Sequence, residues 1–220
     1  MTGLRTHRSL RLALVAVAVA IAASVLIQLA QDGWVLLPSI SDYFYSPARG
    51  VFVGGLTAAS VALLALSGRD TESIMLDVAA VFAPLIAIIP TGYRGQPFVP
   101  ADVLPTVRSG VGVYLVMVVA LLVLAVILAT RGEVAWRRVA IVGGIAGAVS
   151  MALAVLAFAP GVSESFPFAG RVDLHLVATV CFFAVFAAIP LITAFGSAER
   201  TERRYSLIYL TVALLIAVAL

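Results

Sequence analysis

The sequence predicts an all-α integral membrane protein, a polytopic bundle of seven transmembrane helices that forms one domain over residues 1–220. Hydrophobic residues make up 63% of the chain and charged residues only 11%, and the mean hydropathy is +1.14. A soluble domain of this size has too little polar surface to cover so many apolar side chains, whereas a bilayer accepts them. The apolar residues also fall in runs of about 20, the length that crosses the hydrocarbon core as a helix.

Seven apolar stretches supply the elements of this bundle, and each must be helical because lipid cannot hydrogen-bond an exposed backbone. The predicted helices are Leu12–Ala30, Gly50–Ser67, Ile74–Pro90, Val111–Thr130, Val139–Ala159, Leu174–Phe195 and Tyr205–Leu220. The first run is longer than the apolar region of about 7–15 residues in a signal peptide, so we expect it to be retained. The last run has about 16 residues, near the lower limit for spanning, and the count falls to six if it does not cross.

The arginines orient the predicted bundle. The chain has fourteen arginines and no lysine, and ten of them fall on the N-terminal side of the membrane in the seven-helix arrangement. The other side holds Arg49, Arg94, Arg108 and Arg171. Because basic residues concentrate in cytoplasmic segments, we expect the N-terminus in the cytoplasm and the C-terminus outside. The use of arginine alone, with helices rich in alanine and valine, indicates a bacterial genome of high GC content and therefore a bacterial plasma membrane.

The segments predicted to lie outside are long and rich in proline. Residues 31–49, 91–110 and 160–173 contain seven of the ten prolines. Proline restricts the backbone, so we expect these segments to form an ordered extracytoplasmic cap, and functional residues concentrate on such loops. Tyr45 and Arg49, just before the second helix, are the ligand-binding candidates of this cap.

Four further side chains of the predicted cap could carry catalysis. Ser41 and Asp42 precede the second helix, and Asp173 and His175 open the sixth. On a helix, residues two apart point in different directions, so a carboxylate that orients the imidazole should come from Asp42 or Asp102. One hypothesis is a polar pocket for a lipid headgroup or a substrate. The alternative is a set of interfacial anchors and loop ion pairs, each of which contributes little stability.

Asp77 is the acidic residue that lies well inside an apolar stretch. A carboxylate within a membrane is a functional candidate because an unpaired charge is costly in lipid. Its place about one turn into the third helix offers another explanation, since the helix dipole stabilises a negative charge there. Arg69 or Arg131 could also reach it from the cytoplasmic side.

Composition argues against several classes of site and partner. The two histidines, His7 and His175, are predicted to lie on opposite sides of the membrane, and Cys181 is the single cysteine. We therefore expect no metal site and no cofactor. No basic stripe interleaved with aromatic residues is present, so nucleic acid is not an expected partner. The expected partners are the lipid bilayer and either another membrane protein or a second copy of the chain. Small residues four apart, which permit close helix packing or homodimerisation, occur at Gly50 and Gly54 and at Gly143 and Gly147.

Three short motifs resemble those of a group of uncharacterised bacterial multi-pass proteins of the Frag1/DRAM/Sfk1 type. The matching residues are Ser39 to Tyr45 with Arg49 and Phe52-Val53-Gly54, Asp77 with Pro90-Thr91, and His175 with Phe182-Phe183. This resemblance implies a membrane architecture and no particular chemistry. A more distant likeness is to the seven-helix superfamily of alkaline ceramidases and progestin-type receptors, which pairs a serine, an aspartate and several histidines around zinc. This chain has Ser41, Asp77 and His175 but lacks the additional histidines.

These observations favour a non-enzymatic membrane protein that binds, senses or assists a partner through its outer loops. The first alternative is a membrane-embedded lipid hydrolase that uses His175 with a carboxylate of the outer face. The second alternative is a small transporter that uses Asp77.

Overall fold

The computed structural model of the protein describes residues 2–68, 71–169, 172–196 and 211. The α-helices within these ranges are α1 (Thr2–Gln31), α2 (Arg49–Leu66), α3 (Thr71–Ile88), α4 (Leu104–Thr130), α5 (Trp136–Phe158) and α6 (Leu174–Gly196). Short 3-10 helices occupy Ile40–Tyr45, Tyr93–Gly95 and Ser163–Ser165. Two strands, β1 (Phe168–Ala169) and β2 (Val172–Asp173), form an antiparallel hairpin just before α6, with Phe168 opposite Asp173.

Five of these helices are long and apolar enough to cross a membrane, which confirms a multi-pass helical protein. They are α2, α4, α5, the stretch His7–Gln31 of α1 and the stretch Leu174–Ile192 of α6. The predicted third span corresponds to a shorter apolar helix, Ser73–Ile88, within α3. The predicted seventh span lies outside the described residues apart from Thr211.

Two helix starts differ from the sequence prediction by more than three residues. α1 begins at Thr2 instead of Leu12, and α4 begins at Leu104 instead of Val111. Hydrophobicity marks where a helix enters lipid, and a helix continues past that point wherever its backbone permits. Pro105 stands in the first turn of α4, where a missing N–H breaks no hydrogen bond. Part of the predicted outer segment 91–110 is therefore helical.

α3 lies at the centre of the bundle and contacts α2, α4, α5 and α6. The side chains of Ala79, Ala83 and Ala87 are fully buried, and such small residues let neighbouring helices approach closely. The two largest faces of contact are with α2 and α6, while α1 packs on α2 and α4 packs on α5. The short apolar helix is therefore the core around which the longer helices pack.

Many large apolar side chains of the outer helices point away from the bundle. Val15 and Val19 of α1 are 60% and 61% exposed, and Val116 and Val119 of α4 are 68% and 60% exposed. Such a surface would be unstable in water but matches the hydrocarbon of a bilayer. The outward faces thus agree with the lipid environment that the composition predicts.

The four glycines of the predicted pairs differ in how closely neighbouring side chains approach them. A Cβ on Gly143 would lie 3.1 Å from the side chain of Leu122, so this residue allows α5 to approach α4. Gly50, Gly54 and Gly147 have open space at the Cβ position. Packing within the chain therefore requires only Gly143 of the four.

The connections between helices gather at the two ends of the bundle. The segments after α1, α3 and α5 meet at one end, which we call the cap end. The turns after α2 and α4 lie at the opposite end, which we call the turn end. The cap contains the proline-rich segments that were predicted to lie outside, and the contacts described below give it a defined structure.

Candidate functional site at the cap end

The start of α6 is fixed by Asp173, the last residue of the hairpin. Its Oδ1 accepts hydrogen bonds from the backbone N–H of His175 at 2.8 Å and of Leu176 at 3.4 Å. A carboxylate that accepts from the first free N–H groups is the usual N-cap of a helix. Asp173 therefore holds the main chain of His175 and, as its spacing predicted, does not hydrogen-bond the imidazole.

The imidazole of His175 joins two segments that are distant in sequence. Its Nδ1 lies 2.6 Å from the carbonyl oxygen of Ile89, and its Nε2 lies 2.8 Å from Oγ of Ser41. A carbonyl can only accept, so Nδ1 carries the proton and donates it to Ile89. Nε2 is then the acceptor for the hydroxyl of Ser41. Because His175 is only 5% exposed, the protein sets both the tautomer and the ring orientation.

The group that orients the imidazole is a backbone carbonyl, which corrects the expectation of a carboxylate from Asp42 or Asp102. Ile89 follows the last residue of α3, and carbonyls at a helix C-terminus lack partners within the helix. Its oxygen is thus free to accept from His175. A sequence pattern does not show which backbone carbonyls lack a partner. The one hint of this contact was that the predicted third span ends near Ile89.

Asp42 has a local role in the 3-10 helix Ile40–Tyr45. Its Oδ2 accepts from both the backbone N–H and the hydroxyl of Ser39, each at 3.0 Å. Its Oδ1 is buried without a hydrogen-bond partner in the part of the chain that is described. The capping contact fixes the turn that presents Ser41 to His175.

A cavity of about 550 Å³, which we call the cap pocket, lies beside this cluster. It is lined by Phe44, Tyr45, Ser46, Arg49, Tyr93, Phe98, Pro100, Asp102 and Val103. Three aromatic rings pack edge to face, with centroids 5.0 Å apart for Tyr45 and Tyr93 and 5.9 Å apart for Tyr93 and Phe98. The cap pocket therefore has an aromatic wall together with the polar side chains of Ser46, Arg49 and Asp102.

Tyr45 connects the wall of the cap pocket to the segment after α3. Its hydroxyl donates to the carbonyl oxygen of Thr91 at 2.6 Å. Burial raises the pKa of Tyr45 far above its ordinary value, and the negative charge of Asp42 adds to the effect. The phenol is thus a permanent hydrogen-bond donor, which suits a positioning role better than proton transfer.

Arg49 brings a positive charge to the cap pocket. Its guanidinium lies over the ring of Phe44 at 4.1 Å from the centroid, a cation–π contact that fixes its position. Arg49 forms no ion pair shorter than 4.0 Å within residues 7–68, 73–168 and 172–192. The ion pair found in those residues joins Arg138 and Asp77. Of the three predicted ligand-binding residues, Tyr45 and Arg49 line this cavity and Asp77 does not.

Asp77 lies at the turn end, away from this site. Its Oδ2 is 2.6 Å from Nε of Arg138, which also donates to the carbonyl of Gly68 and the hydroxyl of Ser67. The predicted partners were Arg69, which lies outside the described residues, and Arg131, which is exposed at the end of α4. Arg138 is closer because it stands in the first turn of α5, facing the α2–α3 turn.

The cluster at the cap end does not reproduce a zinc site. About twelve residues of α3 separate Asp77 from Ile89, a distance of about 18 Å along a helix. No three histidine, cysteine, aspartate or glutamate side chains come together within the described ranges. What the structure assembles at the cap is a serine–histidine pair and an aromatic pocket with one arginine.

Comparison with known proteins adds no relative to this description. The chain matched no protein-family model, no curated protein and no solved structure.

Proposed function

We propose that the protein is a bacterial plasma-membrane binding protein whose cap pocket holds a zwitterionic group of a small molecule or lipid headgroup. The observation that carries the proposal is the placement of Arg49 and Asp102 around one cavity with an aromatic wall. The arginine would bind a phosphate or carboxylate. The carboxylate of Asp102 and the faces of Tyr93 and Phe98 would bind a cationic amine.

The proposal retains the predicted orientation, with the N-terminus in the cytoplasm and the cap outside. The cap pocket would then lie near the outer membrane surface, where headgroups and periplasmic solutes are both accessible. A free solute and a headgroup share the same zwitterionic chemistry, so binding measurements must separate them.

Binding of glycerophosphoethanolamine to the purified protein in detergent tests the proposal by titration calorimetry. Arg49→Gln and Asp102→Asn should each weaken binding about tenfold, since each removes one charge-assisted contact. Arg131→Gln, at the exposed turn end, is the matched control and should bind normally. Glycerophosphate, which lacks the amine, should bind more weakly and should not respond to Asp102→Asn.

Binding of phosphatidylethanolamine to the protein in nanodiscs, compared with binding of the free headgroup compound, shows whether the ligand is a membrane lipid or a soluble solute. Stronger binding of the lipid than of the free headgroup identifies a membrane lipid as the occupant. Equal affinity identifies a soluble zwitterion. Undetectable binding of both compounds, in protein that is folded, would contradict the proposal.

The distance between Ser41 and His175 favours a second candidate function, hydrolysis of an ester. In this reaction Ser41 Oγ attacks the carbonyl carbon while its proton passes to Nε2 of His175. The imidazolium then protonates the leaving alcohol. Water next attacks the acyl-serine while its proton passes to Nε2, and the imidazolium returns a proton to Ser41 Oγ as the acid leaves. Ile89 supplies a neutral acceptor where a serine hydrolase has a carboxylate, so it stabilises the imidazolium less.

Labelling with a fluorophosphonate, which reacts with activated serines, tests this second function. The wild-type protein should be labelled, and Ser41→Ala should lose the label. Ser165→Ala is the control because Ser165 is an exposed cap serine with a local bond to Val162. A folded wild-type protein that takes no label at millimolar probe would exclude a catalytic serine at position 41.

A further inference from the structure

An apolar groove on the outer surface of α4 ends at an arginine. The groove has a volume of about 510 Å³, and its walls include Arg108, Gly112, Val116 and Met117 of α4 and Phe158 of α5. Residues 108, 112 and 116 are four apart and share one helix face. Arg108 lies about one turn into α4 and marks the end of the groove nearest the cap.

The charge of Arg108 is held in place but not neutralised. One guanidinium nitrogen donates to the carbonyl oxygen of Ser163 at 2.8 Å, which fixes the side chain against the loop after α5. Its Nε is buried and has no hydrogen-bond partner in the described residues, so a ligand in the groove would meet the terminal nitrogens. The ion pair found in those residues involves Arg138 and Asp77 at the turn end. A positive charge at the edge of the hydrocarbon is stabilised by an anion beside it.

The rest of the groove suits an acyl chain. Val116 is 68% exposed and Met117 is 52% exposed, and both lie below Arg108 along α4. From residue 108 to residue 117 the helix rises about 14 Å, close to the depth of about 15 Å that the hydrocarbon of one leaflet occupies. Gly112 leaves the middle of the groove open, since a Cβ there would meet nothing within 4 Å.

We infer that this groove binds one anionic phospholipid, with the phosphate on Arg108 and an acyl chain along Gly112 and Val116. Charge complementarity and the continuous apolar floor below a single cation select this occupant. The inference is independent of the cap pocket, which is lined by other residues.

Native mass spectrometry of the purified protein in a mild detergent tests the inference with three lipids of equal chains. In protein that carries Arg49→Gln and Asp102→Asn, which removes the charges of the cap pocket, phosphatidylglycerol should bind about tenfold more tightly than phosphatidylcholine or phosphatidylethanolamine, because only its net charge is negative. Arg108→Gln should abolish this preference. Arg94→Gln, which removes an exposed cap arginine, is the matched control and should retain it.

A second variant tests the acyl-chain half of the site. Gly112→Ile fills the groove and should weaken all three lipids about equally, whereas Gly144→Ile, at an open position of α5, should not. Retention of the phosphatidylglycerol preference by folded Arg108→Gln protein would overturn the inference. An equal loss in Arg94→Gln would also overturn it, because the preference would then come from diffuse charge.

Discussion

His175 is the residue that links the most distant parts of the cap, since it joins α6 to the end of α3 and to the turn before α2. Both ring nitrogens are hydrogen-bonded inside the protein. Loss of the ring would leave the carbonyl of Ile89 and the hydroxyl of Ser41 without their partner. A buried polar group that loses its partner costs about 1–3 kcal/mol.

His175→Ala should therefore lower the free energy of unfolding by about 2 kcal/mol, measured by thermal unfolding of the purified protein in detergent. His175→Asn keeps an N–H near the position of Nδ1 and should recover part of this loss. His7→Ala, which changes an exposed histidine, is the control. Equal melting temperatures for His175→Ala and His7→Ala would show that the links do not stabilise the cap.

Asp77 is explained by its ion pair with Arg138, whose side chain is 23% exposed while that of Asp77 is 5% exposed. Removal of one partner from a largely buried pair costs about 3 kcal/mol because the other charge remains. Arg138→Gln should therefore destabilise the protein by about this amount. The double variant Asp77→Asn, Arg138→Gln should lose less than the sum of the single losses, as a double-mutant cycle in thermal unfolding would show.

A flux assay in liposomes separates this structural role from transport. With a structural role, Asp77→Asn changes stability and leaves ion flux at the background of empty vesicles. Coupled flux in the wild type that disappears in Asp77→Asn would instead support the transporter alternative.

The sequence indicates that Asp77 and His175 are candidate functional residues, but it does not indicate their partners. Arg138 is 61 residues from Asp77, and Ile89 is 86 residues from His175. Such contacts depend on which helices are neighbours, and hydrophobic periodicity in a membrane bundle does not specify neighbours. Asp173 was placed correctly because helix geometry alone decides where residues two apart can point.

At the scale of elements, α3 carries a proline in its interior, and neighbouring helices compensate for it. Pro84 has no N–H for the carbonyl of Ala80, which lies four residues earlier. The hydroxyl of Ser60 on α2 donates to this oxygen at 2.7 Å, and the hydroxyl of Tyr114 on α4 donates to Val81 at 3.2 Å. These bonds also join α3 to two of its neighbours.

Ser60→Ala should lower the free energy of unfolding by about 1–2 kcal/mol because the carbonyl of Ala80 loses its donor. In a Pro84→Ala background the helix can supply its own N–H, so Ser60→Ala should cost clearly less. Thermal unfolding of the four proteins in one detergent measures the difference. An unchanged cost in both backgrounds would contradict the compensation.

The helices were predicted well where they cross hydrocarbon and less well where they leave it. Hydropathy locates the apolar part of a helix, whereas its ends depend on capping and on local contacts. α4 therefore extends outward to Leu104, past the arginine at position 108. The hairpin of β1 and β2 gave no sequence signal, because each strand has only two residues.

At the scale of the whole molecule, composition alone indicated the membrane, and the five long apolar helices agree with it. Helices that are consecutive in sequence run antiparallel, so their connections alternate between the cap end and the turn end. The cap pocket could not be predicted in detail, because its wall combines residues from two loops and two helix starts. The sequence did indicate which loops would contribute.

The central claim is that the bundle spans the membrane with its cap outside, and cysteine accessibility in intact cells tests it most directly. Cys181 is first replaced by alanine, and single cysteines are placed at Ser165 in the cap and at Glu133 in the turn end, both exposed. A membrane-impermeant maleimide should label Ser165→Cys in intact cells and Glu133→Cys only after permeabilisation. Labelling of both in intact cells, or of Glu133→Cys alone, would contradict the account.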